Sequence, residues 1–223
     1  MARLLNTNDS ASRCLNSVRR HQRLTKQVVN DEGLISQVQP EYDILQGRVQ
    51  ISNEKEMARE NAYDDLILAD RNLDDTLRTV FEKCKQYDRD HMSERVLVTV
   101  FPEETFGDIV RLPFAKEVTE VERIAVRIDS LGDGHSLSGL AEDIRAKAKL
   151  SKEAIRGVDE AIRNKKLAEA DVDIAKEALI RKYEGNYLDA RKKYGRNTAD
   201  KLFPSIYSTK TIKEIEESVE DAA

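Results

Sequence analysis

A chain of 223 residues with 35 % charged and 5 % aromatic side chains, nine Gly and no Trp has the composition of a long-helix protein, not of a sheet protein or an ordinary enzyme. Its net charge of −5 opposes non-specific nucleic-acid binding, which needs a basic surface. The apolar fraction, 39 %, is low but regularly spaced, which argues against disorder, and no apolar run is long enough to span a membrane.

Asn8 to Ser10 suit a helix start. The helix they open carries Leu15, Val18, Thr25 and Val29 on one face and Arg13, Arg19, Arg20, Arg23 and Lys26 on the other. Asp31, Glu32 and Gly33 read as its end. A long helical pattern then runs to Tyr87. Pro40 lacks an N–H and is tolerable only close to the start of that helix. Val38, Tyr42, Leu45 and Val49 form its first seam. Ala62, Leu66, Ala69, Leu73, Leu77, Val80, Cys84 and Tyr87 form its second, in steps of three and four. The stretch between, Ser52 to Glu60, is polar.

Val96 to Phe101 is β-branched and apolar, and predicts a short strand ended by Pro102. Thr105, with Asp108 three residues on, is suited to capping a short turn of helix. Pro113 opens a helix with Phe114, Val118, Val121, Ala125 and Ile128 on one face. Gly132-Asp133-Gly134 is a turn. From Ser136 to Tyr194 there is no proline, and Leu137, Ala141, Ile144, Ala148, Ser151, Ile155, Val158 and Ile162 form one seam. After a polar break at Arg163 to Lys166 the seam restarts, shifted in phase, with Ala168, Val172, Ala175, Leu179, Tyr183, Tyr187, Ala190 and Tyr194. Gly195 stops the helix. Leu202-Phe203-Pro204 follows, and the acidic tail from Thr211 to Ala223 is expected to fray.

The order of events repeats. Each half has a helix, an acidic Gly-containing turn, a long helix, a Tyr-x-Arg close (Tyr87-Asp88-Arg89, Tyr194-Gly195-Arg196) and a Phe-Pro (Phe101-Pro102, Phe203-Pro204). This predicts a tandem duplication, with residues 1–112 as a first helical hairpin and its capping loop, 113–204 as a second, and 205–223 as an acidic tail. The halves are expected to pack as one domain. The fold class is all-α, an elongated helical bundle of long amphipathic helices with four principal helices. Neither polar break holds Gly or Pro, so both long helices should run straight through; folding back at each break would give about six helices instead.

Chemistry is sparse. The histidines are His21, His91 and His135, and no Glu-x-x-His of the di-iron bundles is present. Asp88-x-x-His91 lies at a helix end among charges, where a solvated histidine is expected. Cys14 and Cys84 have no ligand-spaced neighbours and read as reduced, packed thiols. Gly132-Asp133-Gly134-His135 lacks the spacing of a phosphate loop. No catalytic, cofactor-binding or metal-ligating residue is therefore assigned, and no cofactor is expected. The basic face from Arg13 to Lys26 is expected to pair with acidic helix faces such as Asp64, Asp65, Asp70, Asp74 and Asp75. The stripe Tyr183, Tyr187, Tyr194 fits a core or a partly wet interface.

These features point to a non-enzymatic structural or protein–protein interaction protein. It is expected to bind a protein partner or to self-associate through exposed seam residues, a homodimer being the simplest form. The first alternative is a small-molecule or metal-binding bundle. A third reading is a membrane-active helical protein using the apolar 96–114 segment as a tongue; the plainer reading of that segment is a loop capping the bundle with Phe101, Phe106, Leu112 and Phe114. Met1 to Ser10 lack the apolar core of a signal peptide, so a cytoplasmic location is the expectation.

Overall fold

The computed structural model describes residues 4–102, 105–132 and 134–203, and these hold seven helices and no strand. They are α1 (Ala11–Val28), α2 (Glu32–Asp90), α3 (Val96–Val100), α4 (Phe106–Ile109), α5 (Phe114–Asp129), α6 (Leu140–Tyr194) and α7 (Arg196–Leu202). The polar breaks at 52–60 and 163–166 lie inside α2 and α6, which pass through them unbroken. Without Gly or Pro to release the backbone, a polar stretch changes what a helix packs against but not its hydrogen bonding. The expected tail from Thr211 to Ala223 lies outside the described residues, as do Pro204 and Asp133.

The chain divides into two compact units, residues 1–54 with 166–223 and residues 55–165. The divisions fall in the two polar stretches. In unit 1 the core gathers Cys14 and Val18 of α1, Leu34, Val38 and Leu45 of α2, Leu179 and Tyr183 of α6, and Leu202 of α7 with Phe203 beyond it. Here α2 and α6 run antiparallel: Asp31 meets Lys193, Leu34 meets Asn186 and Arg48 meets Asp171. In unit 2 the core gathers Leu73, Leu77, Val80 and Cys84 of α2, Val96 and Val100 of α3, Val121, Ile124 and Ile128 of α5, and Ile144 and Ala148 of α6. The direction is again antiparallel, with Glu56 on Lys165, Ala69 on Ser151 and Tyr87 against His135. Each unit therefore has a short helix, the first part of the long helix that follows it, the last part of the other long helix, and a short helix closed by a phenylalanine.

The burial pattern repeats in step. On α2, Leu34, Val38, Tyr42, Leu45, Leu73, Leu77, Val80 and Cys84 are buried. At one constant offset, Leu140, Ile144, Ala148, Ser151, Leu179, Tyr183, Asn186 and Ala190 are buried on α6. All six buried positions of α1, from Cys14 to Thr25, likewise fall on buried positions of α5, from Glu117 to Ile128. The offset along the long helices is one residue shorter than the tyrosine pair Tyr87 and Tyr194 suggests, because those tyrosines sit past the packed seams. Phe101 and Phe203 close α3 and α7 with nearly the same backbone, φ −122° and ψ 73° against φ −120° and ψ 66°.

Three local expectations are corrected. Val96 to Val100 is helix, not strand, and Phe101 ends it. The Asp88 carboxylate accepts from the N–H groups of Val96 (2.7 Å) and Leu97 (3.2 Å), supplying the acceptor that a helix start needs. Val96 and Val100, one turn apart, then both enter the core, so tertiary capping overrides β-propensity. Asp31 to Gly33 do not end α1. The reversal is made by Asn30 at φ 48°, a residue that tolerates left-handed backbone, and Asp31 instead accepts from Gly33 N–H at the start of α2 (3.0 Å). Pro40 lies beyond the first turn of α2; it is exposed, so the carbonyl that loses its donor faces water. Other signals hold as read. Ser10 caps α1 by accepting from Arg13 N–H, and Thr105 with Asp108 forms a capping box on α4. Cys14 and Cys84 are free and buried, and burial pushes both thiols up to about 11.

Truncating Leu73, which is fully enclosed in the unit 2 core, to Ala should cost about 2–5 kcal/mol. Ile174→Ala, on an exposed side chain, should cost less than about 0.5 kcal/mol. Urea unfolding of the two variants checks the assignment of core and surface.

Candidate functional site

α1 reaches the core of unit 1 through a polar residue. His21 is fully buried and stacks on Phe203 with ring centroids 4.0 Å apart, while Tyr183 meets it edge-on at 5.7 Å. Its Nδ1–H donates to the Leu202 carbonyl (3.0 Å). Its Nε2 accepts from the Asn186 amide (3.2 Å), which also donates to the Leu34 carbonyl (2.7 Å). One imidazole and one amide thus tie α1, α2, α6 and the end of α7 together. The neutral tautomer satisfies both ring nitrogens; a second ring proton would point at the Asn186 donor. Burial, opposed by the hydrogen bonds to the backbone, lowers the His21 pKa to about 4. Sequence reading left His21 out of the seam, although it falls between Val18 and Thr25 in the three–four rhythm that marks the buried face.

The three tyrosines of the stripe part company. Tyr183 is core, and burial raises its phenol. Tyr187 donates to Asp200 (3.0 Å) and Tyr194 to Asp31 (2.8 Å). Asp31 also holds Lys193 (2.8 Å), and hydrogen bonds from Lys193 and Tyr194 keep its carboxyl down at about 2. The basic face of α1 finds partners close by: Arg13 lies 3.2 Å from Asp9, and the Arg19 guanidinium covers the Tyr42 ring at 5.7 Å. In unit 2, His91 stacks on Tyr87 at 4.1 Å and His135 lies 4.6 Å from the same ring. Among the described residues, no group of three or more His, Cys, Asp or Glu side chains is arranged to hold a metal ion, and no helix is long and apolar enough to cross a membrane. Within the 96–114 segment, Phe101 is buried and Phe106 half-buried against the unit 2 core, whereas Phe114 is exposed.

The most distinctive surface lies on the long helices. In unit 1, Ile44, Arg48 and Ile51 stand at i, i+4 and i+7 on α2, and Leu167, Asp171 and Ile174 repeat that spacing on α6. An Arg48–Asp171 ion pair of 3.0 Å joins the centres of the two stripes. The four aliphatics remain exposed, Ile44 by 55 %, Ile51 by 40 %, and Leu167 and Ile174 by 67 % each. Two residues from Ile44, and so on the far side of α2, Tyr42 is covered by Arg19 of α1. The stripes therefore occupy the face that α1 leaves open. In unit 2, Leu68 and Leu150 are exposed by 59 % and 51 %, and they line a shallow groove of about 240 Å³ with Asp65, Asn72, Lys147 and Ala154.

The sign of the His21 effect is fixed by its low folded pKa. Its stabilising contribution is complete above pH 6.5 and is lost as pH falls toward 4, a change of about 3 kcal/mol at most. Relative to a His21→Phe variant, the wild type should lose stability across that window, which urea midpoints taken at several pH values measure; parallel curves would contradict a neutral, buried His21. No family model, no curated protein and no solved structure matches this chain.

Proposed function

We propose that the chain is a non-enzymatic structural and interaction protein that associates with a second copy of itself through the open face of its long-helix pair. The observation that carries this reading is that large aliphatics stand exposed at equivalent positions of both units. Ile44 and Ile174 in unit 1 correspond, at the offset that aligns the buried seams, to Leu150 and Leu68 in unit 2. A long-helix protein has ample polar residues for such positions, and aliphatics kept there in pairs mark a surface to be covered.

A second copy suits the unit 1 face because that face is self-complementary. It sets a cationic Arg48 on one helix beside an anionic Asp171 on the other, between flanking aliphatics. A twofold mate lays Arg48 against Asp171 and aliphatic stripe against aliphatic stripe, as an isologous interface requires. The tandem duplication of a helical hairpin belongs to the same proposal, and it explains why the face occurs twice. No catalytic or cofactor role is assigned.

The test is light scattering across a concentration series. The wild type should move from monomer to dimer, and Ile44→Asp with Ile174→Asp should keep the chain monomeric while leaving its thermal unfolding, compared at a dilution where the wild type is monomeric too, within about 0.5 kcal/mol of wild type. A wild type that stays monomeric at high micromolar concentration would overturn self-association.

A further inference from the structure

Unit 2 buries a carboxyl that needs something its surroundings do not supply. Glu117, in the first turn of α5, is only 2 % exposed. Its carboxyl is within hydrogen-bonding reach of Asp74 and Asp70, which stand one turn apart on α2. Glu117 Oε1 and Asp74 Oδ1 are both buried, and no donor faces either. Ionised carboxylates only accept hydrogen bonds. Three of them side by side have nothing to share and repel one another, unless one carries a proton.

Among the described residues, no cation acts on Glu117. The charged groups that act on Glu117 are Asp70 and Asp74. On α5 itself, Glu120 engages Arg123 and Arg127, and Arg127 reaches the Val100 carbonyl at the end of α3. From α6, Arg145 is held by Asp129 and Lys152 by Glu122. From α2, Arg78 lies over Phe106. Unit 1 makes the contrast plain. At the positions equivalent to Glu117, Asp70 and Asp74 it has Cys14, Lys176 and Ile180, and the charge of Lys176 acts on Cys14. Two units with one burial pattern thus differ at this joint by a carboxyl trio.

We propose that Glu117, Asp70 and Asp74 form a proton-binding joint between α5 and α2: unit 2 folds with a proton held on Glu117 and shared with the two aspartates, and its grip on α5 weakens when that proton leaves. The proton makes Glu117 a donor, which gives a facing Asp carboxylate its hydrogen bond and removes one of three negative charges. Burial first, and then the two aspartates, hold the Glu117 pKa up at about 9. Because that value lies above the ordinary 4.5, folding takes up a proton between the two, and stability present at low pH drains away as pH rises toward 9.

The experiment is urea unfolding of the full chain between pH 7 and pH 8, above the range in which His21 titrates and below that in which the Cys14 and Cys84 thiols of the unfolded chain ionise. The wild-type folding equilibrium should fall by about tenfold per pH unit. Glu117→Gln, which carries its own donor, should remove that slope. Asp70→Lys, which copies the charge found in unit 1, should also remove it by letting Glu117 ionise beside a cation, so the reading does not depend on one variant folding. A carbon NMR titration of the wild-type carboxyls should show one Glu signal changing well above the usual carboxylate range. A flat wild-type profile would overturn the proposal, as would a slope that survives in both variants. Glu117-dependent stabilisation by millimolar Mg²⁺ or Ca²⁺ would also overturn it, since a metal ion and not a proton would then be the missing partner.

Discussion

The antiparallel register of α2 on α6 is the constraint from which the rest follows. Asp31 with Lys193, Arg48 with Asp171, Glu56 with Lys165 and Ala69 with Ser151 fix which turn of one helix meets which turn of the other. Once that is set, the start of α2 lies at the end of α6 within unit 1, and the end of α2 lies at the start of α6 within unit 2. Each short helix then has one groove to fill, α1 in unit 1 and α5 in unit 2. The ion pairs that mark the register are at least partly open to water and contribute little individually. The buried aliphatic seams beneath them supply the stability, and the charges select one register among the several that a repetitive seam allows.

Polar residues in the two cores distinguish the units. His21 and Asn186 bridge four elements in unit 1, and the equivalent positions in unit 2 are Ile124 and Val80. Glu117 and Asp70 meet in unit 2, where unit 1 has Cys14 and Lys176. Docking α1 in the groove of α5 would bury His21 beside Val80 with no group to donate to its Nε2, at a cost of about 1–3 kcal/mol for the orphaned atom. Docking α5 in the groove of α1 would set Ile124 against the amide of Asn186. Similar helices with similar seams are thereby kept from exchanging places, a use of buried polar groups that aliphatic seams alone do not provide.

Much of this was legible from spacing. The three–four rhythm located both long helices, the absence of Gly and Pro from the polar breaks pointed to their continuity, Ser10 and Thr105 announced their caps, and the seams of α2 and α6 match the buried sets closely. The errors have separate causes. Val96 to Val100 became helical because Asp88, eight residues earlier, turned its carboxylate to the helix start, and nothing local announces that. Asn30 took the left-handed turn that a reader assigns to Gly33. The buried polar residues were missed because polarity was taken as exposure. His21 keeps phase with Val18 and Thr25, and Glu117 keeps phase with Val121, Ile124 and Ile128, so periodicity alone could have placed both inside. The exposed aliphatics Ile44, Ile174, Leu68 and Leu150 all fall outside the seams, so spacing already set them apart from the core; that they stand in equivalent pairs shows only once the register is known.

Zero-length carbodiimide cross-linking of the dilute protein, read by mass spectrometry, tests that register most directly, because it joins lysines only to carboxylates already in contact. The antiparallel pairing predicts links from Lys193 to Asp31 and from Lys165 to Glu56, whose side chains lie 2.8 and 2.9 Å apart, within single chains. Links whose positions on α2 and α6 rise together, in place of these two, would contradict it.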